Sequence, residues 1–314
     1  MNKDSVKSAI KKLSQNKSGG KRMLYGALEA GGTKMVCAIG DENGKILEQT
    51  SIPTVSPEET MPKIIGWFKD KNIEALGIAA FGPINLNRDS PTYGSFTTTP
   101  KLKWANYNIV KAMKDALHIP IGFDTDVNGS LLGEATYGQA KGLTDAVYIT
   151  IGTGVGGGVM SNGKLVHGML HPELGHMKLL PYDGDSYKGH CPYHGNCLEG
   201  MAAGPAIEDR WGKKAIELKD DAKVWDMEAF YIAQALCNII LIMSPQIIIL
   251  GGGVMHQLQL FPLIREKTRE MLNGYLKTAE LADIDHYIVP ASLNDDQGIM
   301  GCIKLAIDEK ALEG

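Results

Sequence analysis

The sequence has no long apolar run and no excess of one charge, and each absence excludes a class of protein. Its most apolar stretch, residues 239–250, is shorter than a membrane-spanning helix and is interrupted by Pro245. The formal net charge is −4, with both signs spread along the chain, which argues against a nucleic-acid-binding surface. We therefore expect neither a membrane nor a nucleic acid among the partners of this protein.

Cysteine is also scarce, with 5 residues among 314. This number and spacing exclude a disulfide framework and are typical of a cytoplasmic protein. Cys37, Cys237 and Cys302 lie in apolar surroundings, so we interpret them as small core residues. Only Cys191 and Cys197 are closely spaced along the chain.

No secretory signal is found at residues 1–22, which are rich in Lys, Ser and Asn. These residues have neither the apolar core nor the small-residue cleavage site of a signal peptide. We predict that they form a disordered N-terminal extension and that the folded part begins at Met23. The remaining length is sufficient for a large core divided between two lobes.

A glycine-rich segment, TIGTGVGGGV at residues 150–159, is the first feature that indicates a function. Its glycines fit the pattern GxGxxG, which is weak evidence by itself. The preceding residues are typical of a strand, and Asn162-Gly163 is a strong hairpin signal, so the glycines join two strands. Dinucleotide-binding folds place a helix after the glycines, and the VAIK, HRD and DFG motifs of protein kinases are absent. A glycine-rich hairpin without a ligand is the alternative.

The same pattern occurs earlier in the chain, at residues 24–47. There, a strand is followed by the turn Gly31-Gly32-Thr33-Lys34, a second strand, an Asn-Gly hairpin signal and a third strand. Two such meanders predict a duplicated domain in which each copy presents the backbone N–H groups of a turn to one cleft. Two facing glycine turns are suited to a polyphosphate.

A further segment, DTDVN at residues 124–128, follows a predicted strand and precedes a helix that we expect Asn128 to cap. In α/β folds, catalytic groups lie at the carboxyl ends of strands, next to helix N-termini. Asp124 and Asp126 are therefore candidates for catalysis, although capping and turn formation would also explain them. The glycines at residues 251–253 offer another anion or nucleotide site at a helix start.

The closely spaced cysteines belong to a predicted metal site. Cys191, His194 and Cys197 are spaced C-x2-H-x2-C, and His176 lies fifteen residues upstream. Two thiolates and two imidazoles suit a tetrahedral structural zinc ion, with no position left for water. His190 is the alternative to His194, and reduced cysteines beside ordinary histidines would explain the pattern without a metal.

Zinc at this position would hold the segment HPELGH, residues 171–176, and thereby fix Glu173 and Glu199. Two other histidines, His167 and His171, are interpreted as plain polar residues. The metal is thus predicted to support the ligand site from outside it.

These motifs, in this order, resemble those of the ROK family of bacterial sugar kinases over residues 24–305. EAGGTK at residues 29–34 resembles the first phosphate motif, with Glu29 in place of the usual Asp. DTDVN resembles DNDAN, IGTGVGGG resembles the second phosphate loop, and HPELGH resembles the sugar and zinc motif.

The resemblance implies an α/β fold of the two-lobed, actin-like (ribonuclease H-like) ATPase type with a duplicated βββαβα core. It implies a small N-terminal lobe at residues 23–124 and a large lobe at residues 125–296, which contains the phosphate loop and the zinc site. A C-terminal helix at residues 297–314 is expected to pack back towards the small lobe.

The resemblance also implies a role for each matching residue. Asp126 is implied as the catalytic general base. The implied substrate-binding residues are Gly82, Asn106, Thr125, Glu173, His176 and Glu199. The implied ATP-binding residues are Gly31, Gly32, Thr33, Lys34, Thr153, Gly154, Gly204, Gly252 and Gly253. The implied zinc ligands are His176, Cys191, His194 and Cys197.

Two departures from the family pattern bear on the substrate. Thr125 replaces the usual Asn before the base, and CPYHGNC replaces CxCGxxGC. Both variants resemble the fructokinase branch, so the implied reaction is the transfer of the γ-phosphoryl group of ATP, with Mg²⁺, to the 6-hydroxyl of D-fructose. Glucose, mannose and an N-acetylhexosamine are the alternative acceptors. The implied assembly is a cytoplasmic homodimer.

The alternative of another class is a non-catalytic, sugar-responsive regulator, since the family includes repressors. Those carry an N-terminal helix-turn-helix domain, and the 22 polar residues before the first predicted strand are too few to form one.

Overall fold

The computed structural model describes residues 22–99 and 101–313 of the chain. The predicted disordered extension, residues 1–22, lies outside the described residues except for Arg22, which forms an ion pair with Asp41. The first strand begins at Leu24, directly after the predicted start of the folded part.

Two five-stranded sheets of the same topology organise the described part of the chain. The strands are β1 (Leu24–Ala30), β2 (Lys34–Asp41), β3 (Ile46–Pro53), β4 (Leu76–Ala80), β5 (Ile121–Thr125), β6 (Ala146–Ile151), β7 (Val155–Ser161), β8 (Lys164–Leu165), β9 (Ile247–Gly251) and β10 (Ile288–Pro290). In the first sheet, β3-β2-β1-β4-β5, three strands form an antiparallel meander, and β4 and β5 continue it in parallel with β1. The second sheet, β8-β7-β6-β9-β10, repeats this arrangement strand by strand. The predicted duplication is confirmed.

Local sequence explains many of these elements. Strands β4 (LGIAA) and β9 (IIILG) are buried along their whole length, as expected for central parallel strands that are covered on both faces. Asn162 and Gly163 have φ values of 51° and 72° and form the predicted tight turn between β7 and β8. The glycine turn at residues 31–33 joins the paired strands β1 and β2, and the one at residues 152–154 joins the paired strands β6 and β7.

Helices cover the two sheets and connect them. They are α1 (Pro57–Phe68), α2 (Ile109–Leu117), α3 (Asp126–Tyr137), α4 (Leu198–Ala202), α5 (Gly204–Trp211), α6 (Ala222–Met243), α7 (Leu260–Leu272), α8 (Ala279–Ala282), α9 (Ile284–Tyr287) and α10 (Gln297–Leu312). One apolar core, with Phe68, Phe96 and Trp104, lies against the first sheet. Another, with Trp225 and Tyr231 of α6, lies against the second.

Two helix starts differ from the predictions. Helix α3 begins at Asp126, because the hydroxyl of Thr125 accepts the backbone N–H of Asn128 at 3.1 Å, so Asn128 lies inside the helix and is not its cap. After the glycines at residues 251–253, the chain forms a short 3-10 helix, Gly253–His256, and α7 begins only at Leu260. The first difference places Asp126 in the first turn of α3, where the helix dipole favours a negative charge.

Helices α3 and α10 join the two halves of the molecule. Helix α3 packs on β6 and β7 of the second sheet, and α10 packs on β1, β4 and β5 of the first. Where the helices cross, a Cβ atom on Gly301 would overlap the carbonyl oxygen of Gly129, and one on Gly133 would overlap that of Gln297. The two backbones touch here, which glycine permits because it has no side chain. The predicted lobe boundaries, 23–124, 125–296 and 297–314, stay a prediction.

Helix α6 is long and apolar enough to cross a membrane, judged by length and composition alone, which differs from the prediction that no run reaches this length. Within the fold, 61% of its apolar window is buried. Packing against the second sheet thus accounts for much of its apolar character.

Candidate active site

The predicted base, Asp126, lies where strand β5 ends and helix α3 begins. Its side chain is half-buried, and Oδ1 accepts the backbone N–H of Val127 at 2.9 Å. Thr125, predicted to bind substrate, is only 2% exposed, and its hydroxyl is the helix cap. The cap fixes the start of α3 and so directs the carboxylate of Asp126 to the carboxyl end of the first sheet.

Other acidic groups shape the electrostatics around Asp126. Burial raises the pKa of Asp126 from 3.8 to about 6; the N–H of Val127 opposes this increase and the charge of Glu173 adds to it. Burial also raises the pKa of Glu29 from 4.5 to about 7, and repulsion from Asp126 contributes. The charge of Asp296 acts on Glu29 in the same direction. A carboxyl with a pKa near 6 is ionised at neutral pH and can still accept a proton from a hydroxyl group.

Glu173 and Gly82, both predicted to bind substrate, are neighbours in the structure. A Cβ atom on Gly82 would lie 3.7 Å from Glu173 Oε1 and 3.1 Å from His171 Cε1. His171, interpreted from the sequence as a plain polar residue, is 6% exposed. Its Nε2 accepts the backbone N–H of Ile84 at 3.3 Å, and its Nδ1 lies 3.4 Å from Glu173 Oε1. The sequence contains no local signal for this contact, because Ile84 and His171 are 87 residues apart.

A second histidine, His167, also contacts a carboxylate, that of Asp124, near Asp126. Asp124 is 3% exposed; its Oδ1 accepts hydrogen bonds from the side chain of Asn128 at 2.7 Å and from the N–H of Thr125 at 2.8 Å. Its Oδ2 lies 2.9 Å from Nε2 of His167, and this hydrogen bond raises the pKa of His167. Asp124 therefore supports the N-terminus of α3, and His167 ties the chain after β8 to it.

The second glycine turn is the meeting point of several residues predicted to bind ATP. The N–H of Gly204 donates to the carbonyl of Gly152 at 2.8 Å. Gly252 has a φ of 89°, and a Cβ atom on it would lie 2.7 Å from the nitrogen of Ile151. A Cβ atom on Gly152 would lie 3.7 Å from the nitrogen of Gly253. Three chain segments thus present closely packed backbone without side chains, which suits the approach of a nucleotide.

The tip of the same turn contacts Glu199, which is predicted to bind substrate. Glu199 Oε2 accepts the backbone N–H of Val155 at 3.0 Å, and a Cβ atom on Gly154 would lie 2.8 Å from that oxygen. Thr153 is exposed at the tip. The absence of a side chain at Gly154 therefore lets the carboxylate of Glu199 reach the second glycine turn.

The first glycine turn is held from one side and covered by a lysine from another. Thr54 fixes the turn, because its N–H donates to the carbonyl of Thr33 at 3.0 Å and its hydroxyl donates to that of Gly31 at 2.7 Å. A Cβ atom on Gly32 would lie 3.1 Å from Cε and 3.9 Å from Nζ of Lys101, a residue that the sequence patterns do not single out. Thr33 and Lys34 are exposed. The turn therefore offers backbone N–H groups and has a cation beside it.

The four predicted zinc ligands form one cluster, in which the ligand atoms all lie within 4.8 Å of one another. Nδ1 of His176 is 3.8 Å from Sγ of Cys191 and 3.6 Å from Sγ of Cys197, and Nδ1 of His194 is 3.6 Å from Sγ of Cys191. Tetrahedral zinc, with Zn–S of about 2.3 Å and Zn–N of about 2.0 Å, separates such atoms by about 3.5 Å. The cluster could hold zinc, and it contains His194; Nδ1 of His190 instead lies 3.7 Å from Asp209.

Two predicted substrate-binding residues are placed differently from the rest. His176 turns Nδ1 to the cysteines and follows Glu173 in a short 3-10 helix, Leu174–His176, so it links the two parts of the site. Asn106 is exposed with a φ of 63°, and within the described residues no side-chain hydrogen bond joins it to the other predicted residues.

Two repeated meanders, each with a glycine turn, and a carboxylate at the carboxyl end of the first sheet define the class of two-lobed, actin-like proteins. The chain belongs to the ROK family, whose model matches residues 25–309. It is 49% identical over 284 residues to a putative fructokinase of Bacillus subtilis strain 168, which covers 90% of this chain and 95% of that protein. It is 48% identical to a fructokinase of Pediococcus pentosaceus, with 90% and 98% covered. Among solved structures, a ROK hexokinase from Thermus thermophilus has a TM-score of 0.76 at 25% identity, with 93% and 100% covered. The predicted family and fold class are confirmed.

Proposed function

We propose that the protein is an ATP-dependent fructokinase that transfers the γ-phosphoryl group of ATP to the 6-hydroxyl of D-fructose. The observation that carries this proposal is the identity of 48–49% to fructokinases over 90% of the chain. The identity to the ROK hexokinase, 25%, is about half of that. Fructose is therefore favoured over glucose, mannose or an N-acetylhexosamine as the acceptor.

Asp126 is proposed as the general base that accepts the proton of the sugar hydroxyl. Its position at the start of α3 and its pKa of about 6 support this role, because the base must be ionised near neutral pH. As the hydroxyl oxygen attacks the γ-phosphorus, the proton passes to the carboxylate and ADP departs with the electron pair of the broken P–O bond. Catalysis of this kind depends mainly on positioning and charge neutralisation.

The acceptor sugar is proposed to lie between Glu173 and Glu199, within reach of Asp126. The charge of Glu173 contributes to the raised pKa of Asp126, so the two carboxylates share one environment. Gly82, Asn106, Thr125 and His176 are proposed to complete this side of the site. Carboxylates that accept hydrogen bonds from sugar hydroxyls would orient the acceptor for transfer.

ATP is proposed to bind along the two glycine turns, with Gly31, Gly32, Thr33 and Lys34 on one side. Thr153, Gly154, Gly204, Gly252 and Gly253 are proposed for the other side. The carboxylates near the first turn fit a magnesium ion in chemistry, because oxygen ligands are those that Mg²⁺ prefers and because Glu29 is repelled by Asp126 and Asp296. Glu29 would face the ion, which neutralises phosphate charge when bound.

A structural zinc ion is proposed at His176, Cys191, His194 and Cys197. The donor set and the distances between its atoms support zinc. By holding His176, the ion would fix the short helix that follows Glu173.

A cytoplasmic homodimer is proposed as the working form. The five cysteines are free and buried, which suits a reducing compartment. The backbone N–H of Leu180 donates to Gln234 Oε1 of α6, and the carbonyl of Leu180 accepts from Gln234 Nε2. Leu180 is 74% exposed, and Ile242 of α6 is 77% exposed. Light scattering should give twice the chain mass. Ile242→Asp should reduce the measured mass, because it places a charge on an exposed apolar part of α6. A wild-type monomer would contradict the proposal.

The test of function is a coupled ADP-release assay with ATP, Mg²⁺ and a panel of sugars. Fructose should give the highest kcat/KM, and NMR of the product should place the phosphate on the 6-hydroxyl. Preference for another hexose would overturn the assignment of the sugar, and sugar binding without ADP release would favour a non-catalytic regulator.

A further inference from the structure

His171 connects two segments that meet on the proposed sugar side of the site. Its side chain is 3% exposed, whereas that of Glu173 is 42% exposed. The imidazole lies between the chain that follows β4, at Gly82 and Ile84, and the carboxylate of Glu173. One end of the ring therefore touches backbone and the other touches a side chain that is open to solvent.

The hydrogen bond at one ring nitrogen determines the chemistry at the other. Nε2 accepts the N–H of Ile84 and therefore carries no proton. A neutral imidazole then has its proton on Nδ1, which lies 3.4 Å from Glu173 Oε1. The backbone of Ile84 thus selects the tautomer that can donate to Glu173.

We propose that His171 is a positioning residue that orients the carboxylate of Glu173 for binding the acceptor sugar. The inference rests on the proposed function, in which Glu173 accepts hydrogen bonds from sugar hydroxyls. A flexible glutamate loses rotamer freedom when it binds a ligand, and a buried donor behind it removes part of that cost beforehand. His171 therefore acts on sugar affinity through Glu173 and does not touch the transferred phosphoryl group.

The competing explanation is that His171 only fastens the chain after β4 through Ile84. Two substitutions separate the two contacts. His171→Asn places an amide N–H at the position of Nδ1 and removes the acceptor at Nε2. His171→Gln extends to the position of Nε2, so it can keep an acceptor for Ile84 but has no donor at the Nδ1 position.

If His171 orients Glu173, H171Q should raise the KM for fructose about tenfold, because the donor that faces the carboxylate at 3.4 Å is lost. The KM for ATP should stay near the wild-type value. H171N should stay within about threefold of wild type for both substrates, since it keeps the donor. The reverse order of the two variants would overturn the proposal. His286→Asn, at an exposed histidine, is the matched control.

A double-mutant cycle measures the coupling to Glu173 directly. In a Glu173→Ala background, H171Q should produce no further loss in kcat/KM for fructose, because there is no carboxylate left to orient. Additive losses would overturn the proposal. Thermal unfolding checks that each variant is folded. If H171Q does not fold, the result for H171N decides the question. A tenfold increase in the KM of H171N for fructose would refute the inference. A wild-type enzyme inactive on fructose would instead refute the proposed function.

Discussion

Replacing Asp126 by Asn should slow turnover strongly and at the same time stabilise the fold. Asparagine has nearly the same shape, and its oxygen can still accept the N–H of Val127, so helix α3 should begin at the same residue. The amide cannot take a proton from the sugar hydroxyl, so we expect kcat to fall by about a hundredfold or more. The coupled ADP-release assay with saturating fructose and ATP measures this loss.

The stability gain follows from the raised pKa of Asp126. Because that pKa is about 6 in the fold and 3.8 ordinarily, the folded protein binds the proton more tightly than the unfolded chain does. The free energy of unfolding of the wild type therefore falls by about 3 kcal/mol as pH rises from below 3.8 to above 6. Asparagine does not titrate, so Asp126→Asn does not lose this stability as pH rises. The difference in the free energy of unfolding between Asp126→Asn and the wild type should therefore grow by about 1.4 kcal/mol between pH 5 and pH 8.

Urea unfolding of both proteins at pH 5 and pH 8 tests this expectation. Asp220→Asn, at an exposed aspartate, is the control and should change neither turnover nor the pH dependence of stability. If Asp126→Asn keeps near-normal turnover, Asp126 is not the base. If its stability advantage does not grow with pH, burial does not raise the pKa of Asp126 in the folded protein.

Three further perturbations test the protonation of Asp126, the metal cluster and the crossing of α3 and α10. With saturating substrates, kcat should fall about tenfold per pH unit well below pH 6, because protonated Asp126 cannot accept a proton; a flat profile down to pH 5 would contradict this. Cys191→Ser, or removal of zinc by a chelator, should lower the bound zinc found by metal analysis and raise the KM for fructose; normal turnover by the zinc-free protein would count against the supporting role of the metal. Gly301→Ala should lower the free energy of unfolding by about 1–3 kcal/mol, because the new methyl group overlaps the backbone of Gly129. Gly66→Ala, on an exposed face of α1 with open space around it, should instead raise the free energy of unfolding by up to about 1 kcal/mol. Equal effects of Gly301→Ala and Gly66→Ala would refute the close contact between α3 and α10.

The features that could be predicted from the sequence are those encoded within a few residues. The Asn-Gly hairpin signals and the glycine turns predict the repeated meander because turn geometry depends on the local backbone. The set of Cys191, His194 and Cys197 is predicted for a similar reason, because the ligands of a structural zinc ion are often only a few residues apart in the sequence. Tertiary contacts are needed for the start of α3, where Thr125 and Asn128 are both suitable caps.

The contacts that could not be predicted join residues far apart in the chain. His171 reaches Ile84 across 87 residues, and His167 reaches Asp124 across 43. Lys101 lies over Gly32 although nothing in its neighbourhood marks it as part of a phosphate site. A histidine between polar residues has no sequence pattern that identifies its partner, because the partner is set by how strands β4 and β5 are placed in the first sheet.

The proposed base, Asp126, lies close to the glycine crossing of α3 and α10. Asp126 is three residues, and so about one helical turn, from Gly129, where α3 touches α10. Glu29 lies near the end of β1, which directly precedes the first glycine turn. Glu29 takes part in the same crossing, because a Cβ atom on Gly298 of α10 would overlap its carboxylate. The small residues at this crossing therefore let α10 approach both α3 and Glu29 closely, which brings Glu29 and Asp126 together where the two halves join.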